Sequence, residues 1–377
     1  MKILIAPDSF KGSLTALEVA ENIEKGVLKV DKTIETIKVP MADGGEGTLQ
    51  SLVDSHNGEV IEKEVTGPLG NKIKSHFGYL SDTKTGVIEM ALASGLPLIP
   101  KDKLDPMKTT TYGTGELIKA ALDKGAEKLI IGIGGSATND AGVGMAQALG
   151  AEFKDEVGNE ISFGGGELEK IKEINISNLD PRIKNVKIRA ACDVSNKLYG
   201  PEGAAYVYGP QKGADEKMVK TLDDNLKHFA EILNRQLGID IQSVEGSGAA
   251  GGLGAGLVAF LDAELESGIE IVLDATNLKS KLENVNLVIT GEGRLDGQTI
   301  NGKTPIGVAR VAKEKNIPVI AISAIFGKGI EKLTSSGIDA VFNMLQNLDL
   351  SIEDDTGYWL QFISEQITRL IKLEINN

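Results

Sequence analysis

The chain has 377 residues, 41% of them hydrophobic and 25% charged, which is typical of a globular protein long enough for two domains. Its formal net charge of −14 excludes the broad basic face that general nucleic-acid or membrane-surface binding requires. No apolar run approaches the ~18 residues of a membrane span. The amino-terminal run MKILIAPDSF lacks the apolar core of a signal peptide, so we expect a soluble cytoplasmic protein.

Two common kinds of catalytic centre are not expected. The histidines are scattered among polar neighbours, at His56, His76 and His228, and we expect each of them at the surface. The sequence contains no G-x-S-x-G motif, and its single cysteine, Cys192, cannot form an intramolecular disulfide. A histidine metal cluster or a Ser-His-Asp triad is therefore improbable.

The first predicted element is a short buried strand, Ile3–Ala6, which is followed by a turn-rich loop and an amphipathic helix. The loop carries three polar residues, Asp8, Ser9 and Lys11. They lie between the carboxyl end of a strand and a helix, which is where open α/β sheets place their ligands. Asp8 and Ser9 are therefore candidate substrate-binding residues, although both residue types also suit a simple turn.

A second strand, Thr33–Val39, also ends in a glycine-rich acidic loop, Met41–Thr48. In this loop Asp43 and Glu46 could bind a metal ion or a sugar-like hydroxyl group. The alternative is structural, because Asp43 could cap the following helix and Glu46 could complement the dipole of that helix.

The character of the chain changes near Glu59. Three short strands joined by turns are predicted, Val60–Val65, Ile73–Leu80 and Val87–Met90, and they suggest an antiparallel meander and the start of a second domain. A further strand, Ile269–Leu273, is predicted near the end of that domain.

Several helices carry clear sequence signals. Thr15 and Glu18 have the spacing of a capping box at the start of the first helix. Asp215–Leu237 is predicted as a long amphipathic helix, and Tyr358–Leu373 as a closing helix.

The strand Lys128–Ile131 is followed by the loop Gly132–Gly142, which fits the relaxed dinucleotide pattern G-x-G-x-x-A, with Glu152 about twenty residues further on. A dinucleotide loop uses mostly bare backbone, whereas this loop is rich in polar side chains, which better suit a phosphate or Mg-nucleotide site. The candidate cofactor-binding residues are Gly134, Gly135, Ser136, Thr138 and Asn139. A purely structural strand-to-helix turn is the alternative.

Gly246–Gly254 contains a second G-x-G-x-x-G pattern and is predicted to open a small-residue helix that runs to about Leu265. The candidate phosphate-binding residues in it are Gly248, Gly251 and Gly252, unless its small residues serve only close helix packing. Between these loops the strand Val186–Ala191 leads to Asp193, which could be a general base or a turn cap.

The stretch Asn286–Ala309 combines a predicted strand, Leu287–Ile289, a loop with five glycines, and a helix predicted to start near a capping Thr304. The loop carries charged residues of both signs, Glu292, Arg294, Asp296 and Lys303. Backbone N–H groups at a helix N-terminus can hold anions. Part of the stretch formally fits G-x-x-x-x-G-K-T, but the run GEGRLD lies between the strand and its first glycine, so we favour an active-site loop of another design.

Together these loops supply backbone donors, several carboxylates and few cations, without a histidine. Phosphoryl transfer needs this set, because donors and cations bind phosphate oxygens, carboxylates bind Mg²⁺ and a base accepts the proton of the attacking hydroxyl group.

Five stretches along the whole chain also resemble one family. They are APDSFKGSL (Ala6–Leu14), MADGGEGT (Met41–Thr48), GIGGSATNDAG (Gly132–Gly142), GSGAAGGLGAG (Gly246–Gly256) and TGEGRLDGQT (Thr290–Thr299). In this order they are similar to the bacterial glycerate kinase type-1 family. The resemblance implies transfer of the ATP γ-phosphate to D-glycerate, giving 2-phosphoglycerate or, as the alternative, 3-phosphoglycerate.

The resemblance further implies an α/β fold with two α/β domains and the active site in the cleft between them. One domain is Rossmann-like and discontinuous, and the other is inserted into it. From the change of character near Glu59 and the return near Asp274, we expect residues 1–65 and 275–377 in the Rossmann-like domain and 66–274 in the inserted domain.

The chemistry of the side chains suggests roles within such a reaction. Lys11 and Arg294 are expected to hold the glycerate carboxylate and the transferring phosphoryl group. Asp193 is the expected general base, with Asp296 as the second choice. Mg²⁺ is expected to be carried chiefly by ATP and to contact some of Asp43, Glu46 and Glu292, of which Asp43 is also a substrate-binding candidate.

The remaining expectations concern the nucleotide and the partners. The two glycine patterns and Lys303 are expected to bind the ATP phosphates. The expected partner is the small molecule D-glycerate, with no nucleic acid and no membrane, and a homodimer is left open. Two other classes also stay open: an NAD-dependent oxidoreductase that uses Gly132–Ala137, and a non-catalytic hydroxy-acid-binding protein.

Overall fold

The computed structural model describes residues 1–300, 302–344 and 356–375. They form two compact units. Unit 1 is made of Met1–Asp43, Gln50–Asn57 and the described residues of Ile269–Asn377, and unit 2 is made of Gly44–Leu49 and Gly58–Gly268. Within these described ranges no helix has the length and apolar character needed to cross a membrane.

The elements are numbered in chain order. The strands are β1 (Lys2–Pro7), β2 (Glu35–Lys38), β3 (Glu59–Thr66), β4 (Lys72–Leu80), β5 (Thr85–Glu89), β6 (Lys128–Gly132), β7 (Glu152–Lys154), β8 (Glu173–Asn175), β9 (Lys187–Ala191), β10 (Glu264–Glu266), β11 (Leu287–Leu295), β12 (Val319–Phe326) and β13 (Ala340–Asn343). The helices are α1 (Ala16–Val30), α2 (Thr48–His56), α3 (Ala91–Ser94), α4 (Tyr112–Asp123), α5 (Val143–Ala148), α6 (Ala204–Tyr208), α7 (Glu216–Leu237), α8 (Ala249–Leu261), α9 (Gly268–Ala275), α10 (Leu278–Lys281), α11 (Thr304–Lys313) and α12 (Thr356–Ile375).

Unit 1 is built on a parallel sheet with the strand order β13-β12-β11-β1-β2. The two adjacent central strands β1 and β11 are almost fully buried, as expected for parallel strands that are covered on both faces. The chain passes from β1 to β2 on one side and later returns to β11 on the other side. The carboxyl ends of β1 and β11 therefore mark the switch point of the sheet, where α/β folds bind ligands.

Helices α1 and α12 contribute to the same apolar cluster as β1 and β11, through residues such as Val19, Ile23, Leu360 and Ile367. The capping box predicted at the start of α1 is confirmed, since Thr15 Oγ1 accepts from the Glu18 backbone and the Glu18 carboxylate accepts from the Thr15 backbone.

Unit 2 contains a mixed sheet with the order β10-β9-β6-β5-β4-β3 and a small antiparallel pair, β7-β8. Strands β3, β4 and β5 pair antiparallel, as the predicted meander requires, while β5, β6, β9 and β10 run parallel. The mixture of parallel strands and helices in both units confirms the predicted α/β class.

The structure corrects the expected boundary at residue 65. That boundary falls inside β3, which pairs with β4 from Glu59 to Thr66, so residues 59–65 belong to unit 2. At the other boundary, residues 269–274 belong to unit 1 rather than to the inserted unit.

The predicted strand Ile269–Leu273 is wrong, because these residues lie in helix α9. Periodicity cannot separate a short apolar run in a strand from one in a buried helix. At the first residue of this helix, the backbone N–H of Gly268 donates to Asp193 Oδ1 over 3.1 Å, which satisfies a donor that the helix itself leaves free.

Two predicted element ends also differ from the structure. Strand β11 does not stop at Ile289 but runs to Leu295, so Gly291, Glu292 and Arg294 lie in the strand rather than in a loop. Gly291 permits this pairing, because a Cβ atom there would lie 2.2 Å from the Ile322 carbonyl oxygen of β12.

Helix α8 ends at Leu261 instead of reaching Leu265, since Asp262 adopts a left-handed conformation and stops it. The start of α8 is irregular as well, with left-handed backbone at Ala250, Gly251 and Gly252.

Candidate active site

A cavity of about 380 Å³ opens in unit 1 at the carboxyl ends of β1 and β11, at the switch point of the sheet. The predicted site residues that line it are Asp8, Ser9, Lys11, Asp43, Glu292, Arg294 and Lys303. They come from three regions far apart in the chain: the loop after β1, the loop after β2, and the stretch from the end of β11 to the start of α11. The cavity thus combines three carboxylates with three cations, in a chain whose formal net charge is −14.

Asp8 is the most enclosed carboxylate of this cavity, with 5% of its surface exposed. Its Oδ1 accepts from the backbone N–H of Ser9 at 2.6 Å and from Ser9 Oγ at 3.2 Å. Its Oδ2 accepts from Thr304 Oγ1 at 2.7 Å, which leaves acceptor capacity on that oxygen.

Burial and the nearby negative charge of Asp43 raise the pKa of Asp8 to about 6, against the lowering effects of Thr304, Ser9 and Lys11. Asp8 is therefore oriented, deprotonated at neutral pH and more basic than an ordinary aspartate.

Thr304 therefore has a different role from the predicted one. Lys303, not Thr304, occupies the cap position of helix α11, and Thr304 is the first helical residue, followed by Pro305. The Thr304 hydroxyl donates to Asp8 instead of capping the helix. Capping statistics cannot identify such a bond, because it joins residues that are 296 positions apart.

Glu292 lies at the other side of the switch point with 7% of its surface exposed. Its Oε1 accepts from Thr299 Oγ1 at 2.9 Å and from Lys303 Nζ at 3.5 Å. Burial is the largest cause that raises the pKa of Glu292 to about 7, and the charge of Asp8 acts in the same direction, while Lys303 and Thr299 lower it.

The two cations predicted to bind anions both reach solvent at the cavity. Lys11 is exposed and forms no ion pair with any described residue. The side chain of Arg294 is 62% exposed, and its Nε donates to Asp296 Oδ2 at 3.1 Å. A guanidinium group held by one oxygen on one edge keeps other N–H groups for a ligand.

Asp296 pairs with Arg294 but does not line the cavity. The backbone N–H of Gln298 lowers the pKa of Asp296 most, and Arg294 lowers it further. Both effects make Asp296 a weaker base than an ordinary aspartate.

The two predicted glycine loops of unit 2 meet each other. The backbone N–H of Ala141 donates to the Gly251 carbonyl oxygen at 3.2 Å. A Cβ atom on Gly251 would lie 1.9 Å from the Thr138 carbonyl oxygen, and one on Gly252 would lie 2.9 Å from the Ala141 Cα atom. Close packing of the two loops thus accounts for Gly251 and Gly252 without a ligand.

Gly248 is also packed tightly, since a Cβ atom there would lie 2.1 Å from the Lys197 carbonyl oxygen. In the first loop, by contrast, Gly134 and Gly135 are exposed. Ser136, Thr138 and Asn139 are buried beneath this exposed turn.

Lys212 was missed by the sequence reasoning. It follows helix α6 in a short turn, Pro210–Lys212, with 1% of its surface exposed. Its Nζ donates to Ser136 Oγ at 2.7 Å and to the Thr138 carbonyl oxygen at 2.6 Å. The surrounding run of glycine, proline and polar residues is typical of a surface loop and carries no local signal for a buried amine.

The predicted general base, Asp193, is exposed at the end of β9, and its Oδ1 accepts from Ser267 Oγ at 2.8 Å and from the Gly268 backbone. Glu46 is exposed and belongs to unit 2, whereas Glu292 belongs to unit 1. The two predicted metal ligands therefore come from different units. Within the described residues no group of three or more His, Cys, Asp or Glu side chains is arranged to hold a metal ion.

A larger open groove of about 780 Å³ lies on unit 2. Its lining includes Tyr112, Phe163 and Glu152, the acidic residue on which a dinucleotide site would depend. Glu152 forms an ion pair with Lys154 at 2.8 Å and accepts from Asn178 at 3.3 Å. Glu152 is therefore already bound by neighbouring side chains of its own unit.

Comparison with known proteins matches this chain to kinases. The sequence profile of the Glycerate kinase family matches residues 3–372. A glycerate kinase from Bacillus subtilis (strain 168) is 55% identical over 345 residues, which is 92% of this chain and 90% of the relative. A glycerate 2-kinase from Escherichia coli (strain K12) is 54% identical, over 92% of this chain and 91% of the relative.

The structure comparison gives the same answer over the full length. A crystal structure of a protein assigned as glycerate kinase 2 from Salmonella typhimurium LT2 matches with a TM-score of 0.93 and 48% sequence identity, and the match covers 100% of both chains. The resemblance inferred from the five motifs is confirmed. The chain is an enzyme and belongs to the glycerate kinase family.

Proposed function

We propose that this enzyme transfers the γ-phosphoryl group of ATP to D-glycerate and releases 2-phosphoglycerate and ADP. The observation that carries the proposal is the cavity of unit 1, which places two exposed cations beside an oriented, buried carboxylate at the switch point of a parallel sheet. The name of the Escherichia coli relative, glycerate 2-kinase, favours the 2-position over the 3-position.

The cavity suits a small hydroxy acid. Lys11 and Arg294 offer a point charge and a planar fork of donors, which bind a carboxylate and a developing phosphoryl charge. Ser9 and Asp43 line the same cavity and can hydrogen-bond the glycerate hydroxyl groups.

Asp8 is the base that we favour for the attacking hydroxyl group. It lines the cavity, it is fixed by Ser9 and Thr304, and its raised pKa brings it closer to the ideal for proton transfer near neutral pH. Asp193, the base predicted from the sequence, is the alternative, and its Oδ1 already accepts two hydrogen bonds at the start of α9.

The residues present fit a nucleotide triphosphate and its magnesium ion in two respects. Buried polar atoms without partners occur in the first glycine loop, at Thr138 and Asn139. Glu292 and Asp43 place carboxylate oxygens at the cavity, and Mg²⁺ takes few protein ligands because it keeps most of its waters. When bound, Mg²⁺ neutralises charge on the phosphate oxygens, and ATP supplies the phosphoryl group.

The other residues predicted to bind the nucleotide have supporting roles in this proposal. Lys303 forms an ion pair with Glu292, and its ammonium group can also pair with a bound phosphate. Gly134 and Gly135 offer exposed backbone, while the packed glycines Gly248, Gly251 and Gly252 hold the first loop in shape.

A coupled assay of ADP release with D-glycerate and L-glycerate tests the reaction, and ³¹P NMR of the product identifies the phosphorylated carbon. We expect turnover that needs both ATP and D-glycerate and stops when EDTA removes Mg²⁺. Turnover of NAD with D-glycerate, or binding of glycerate with no ADP release, would contradict the proposal.

A further inference from the structure

A buried lysine, Lys212, contacts the first glycine loop of unit 2. Lys212 Nζ donates to Ser136 Oγ and to the Thr138 carbonyl oxygen, and its side chain is almost completely enclosed. Ser136 retains 6% of its surface and directly follows the exposed residues Gly134 and Gly135. The serine hydroxyl group therefore links the buried amine to a residue that is next in sequence to the exposed turn.

The charge of this lysine is not neutralised by an ion pair with any residue in the described part of the chain. Among the residues that the structure describes, Asp140 is the carboxylate whose charge acts on the Lys212 amine. The oxygens of Asp140 are already engaged, since they accept from Thr111 N, Thr111 Oγ1, Gly142 N and Gly144 N. Burial lowers the pKa of Lys212 to about 7, and Asp140 opposes this lowering.

Several neutral polar atoms around the same loop are also unsatisfied. Thr138 Oγ1 and both amide atoms of Asn139 are buried and have no hydrogen-bond partner, and neither has Ser247 Oγ at the start of the second loop. Buried polar atoms without partners cost free energy, so they are rare in folded proteins unless a ligand or water meets them.

Backbone strain is concentrated in the same place. Ala141 and Ala250 both adopt left-handed conformations, with φ of 52° and 55°, although each carries a Cβ atom. Such conformations persist where the surrounding packing enforces them, and they cluster at functional sites. One of these strained residues, Ala141, belongs to the loop that contains Thr138 and Asn139.

We propose that Ser136, Thr138 and Asn139 form a site for a phosphoryl oxygen, and that Lys212 is the positioning residue that charges and orients this site from below. The Lys212 amine donates to Ser136 Oγ, so the serine hydroxyl keeps its own proton for donation to the bound anion. Thr138 Oγ1 and the Asn139 amide supply donors that currently lack acceptors. The anion completes the neutralisation of the buried ammonium group.

This inference rests on the proposed function for its ligand, the phosphate chain of a nucleoside triphosphate. The same chemistry could come from the phosphorylated product or from the carboxylate of D-glycerate. The experiment therefore titrates four ligands separately, the non-hydrolysable analogue AMP-PNP with Mg²⁺, 2-phosphoglycerate, inorganic phosphate and D-glycerate.

The test is isothermal titration calorimetry of the full-length enzyme at pH 7.5 in two buffers of different ionisation enthalpy. For the wild type we expect AMP-PNP binding to take up about 0.5 proton more than in Lys212→Met, because the anion returns the neutral amine to its charged form. We expect Lys212→Met to weaken AMP-PNP binding and raise the KM for ATP about 10–100-fold, with the KM for D-glycerate unchanged. Lys220→Met, which removes an exposed lysine from α7, is the matched control and should change none of these values.

A second variant separates positioning from folding. Ser136→Ala keeps the buried amine and should weaken AMP-PNP binding less than Lys212→Met while the proton uptake remains. Thermal unfolding of each variant shows whether it is folded. A folded Lys212→Met with wild-type AMP-PNP affinity and wild-type proton uptake overturns the inference.

Binding of D-glycerate that depends on Lys212, with AMP-PNP unaffected, also overturns the inference, because the site would then hold a carboxylate. If the wild type shows no ATP-dependent turnover, the proposed function fails by itself. The titration with inorganic phosphate still tests the anion site in that case.

Discussion

The cavity of unit 1 and the paired glycine loops of unit 2 use burial in opposite ways. In the cavity, burial raises the pKa of the carboxylates Asp8 and Glu292 to about 6 and about 7. In the loops, burial lowers the pKa of the Lys212 amine to about 7. Carboxylic acids and the lysine amine ordinarily have pKa values more than six units apart. Burial brings both sets of pKa values close to 7, because desolvation disfavours whichever form is charged.

The two regions differ in how they are built. The cavity lies at strand ends, holds exposed cations and keeps its carboxylates oriented with neighbouring hydroxyl groups. The loops have packed glycines, left-handed backbone and buried polar atoms without partners. The cavity is suited to changing protonation during turnover, and the loops are suited to holding a fixed arrangement of donors.

The largest effect should come from Asp8, which tests whether the cavity provides the general base. We expect Asp8→Asn to lower kcat about 10²–10⁴-fold, because the amide cannot accept the proton of the hydroxyl group. In the wild type, kcat/KM for D-glycerate should rise with pH through about 6 and then level off, since the deprotonated form is the active one. Steady-state kinetics between pH 5 and 8 measure both.

Asp193→Asn is the matched comparison, because it makes the same change at the other candidate base, which belongs to unit 2. We expect it to retain most of the turnover and the wild-type pH profile. A full loss of turnover in Asp193→Asn, with Asp8→Asn still active, would return the role of base to Asp193.

A smaller but still large effect is expected from the exposed guanidinium group at the cavity. Arg294→Ala should lower kcat/KM about 10²–10³-fold, because it removes a charged donor from the developing phosphoryl or carboxylate charge. Arg310→Ala is the control, since Arg310 is also exposed and also pairs with an acidic residue, Glu270, but does not line the cavity. Equal losses for the two variants would mean that general charge, rather than the cavity, is responsible.

The packing of the loops can be tested through stability. Gly251 and Gly158 both adopt left-handed backbone, with φ of 70° and 85°, but only Gly251 faces a close neighbour. Gly251→Ala should therefore destabilise the fold by about 1–3 kcal/mol more than Gly158→Ala, through the clash with Thr138. Urea unfolding followed by far-UV circular dichroism measures the difference, and equal values would show that the loops repack freely.

The smallest expected effect concerns the stability cost of the buried amine. A lysine whose pKa falls on folding binds fewer protons in the folded state, so wild-type stability should rise as the pH rises from 7 towards 10. Lys212→Met should be more stable than the wild type by about 1 kcal/mol near pH 7, and the gap should close at higher pH. Trp359 fluorescence reports unit 1 and should show no such change.

The sequence predicts those parts of the fold and site that depend on local pattern. The capping box at Thr15 and Glu18, the meander from β3 to β5 and the loop after β1 follow from spacing within a few residues. Seven predicted site residues line one cavity because parallel strands place their carboxyl ends at one edge of a sheet.

The remaining features depend on contacts between distant parts of the chain. The bond from Thr304 to Asp8 and the burial of Lys212 under Ser136 join residues 296 and 76 positions apart. The apolar run in α9 carries no decisive period, and its first backbone N–H donates to Asp193, 75 positions away in the chain. The glycines of α8 look like a phosphate cradle, whereas packing against Thr138 already requires Gly251.

The pairing of β1 with β11 has a consequence for how the protein emerges from the ribosome. Every residue of Gly58–Gly268 is translated before the first residue of β11, so β1 waits for its central partner while unit 2 can already complete its own sheet. The nascent amino-terminal strand is meanwhile apolar and lacks the neighbour that finally covers it. Truncated products that end before residue 287 should therefore contain a folded unit 2 attached to an aggregation-prone amino-terminal segment, because β1 lacks its partner β11.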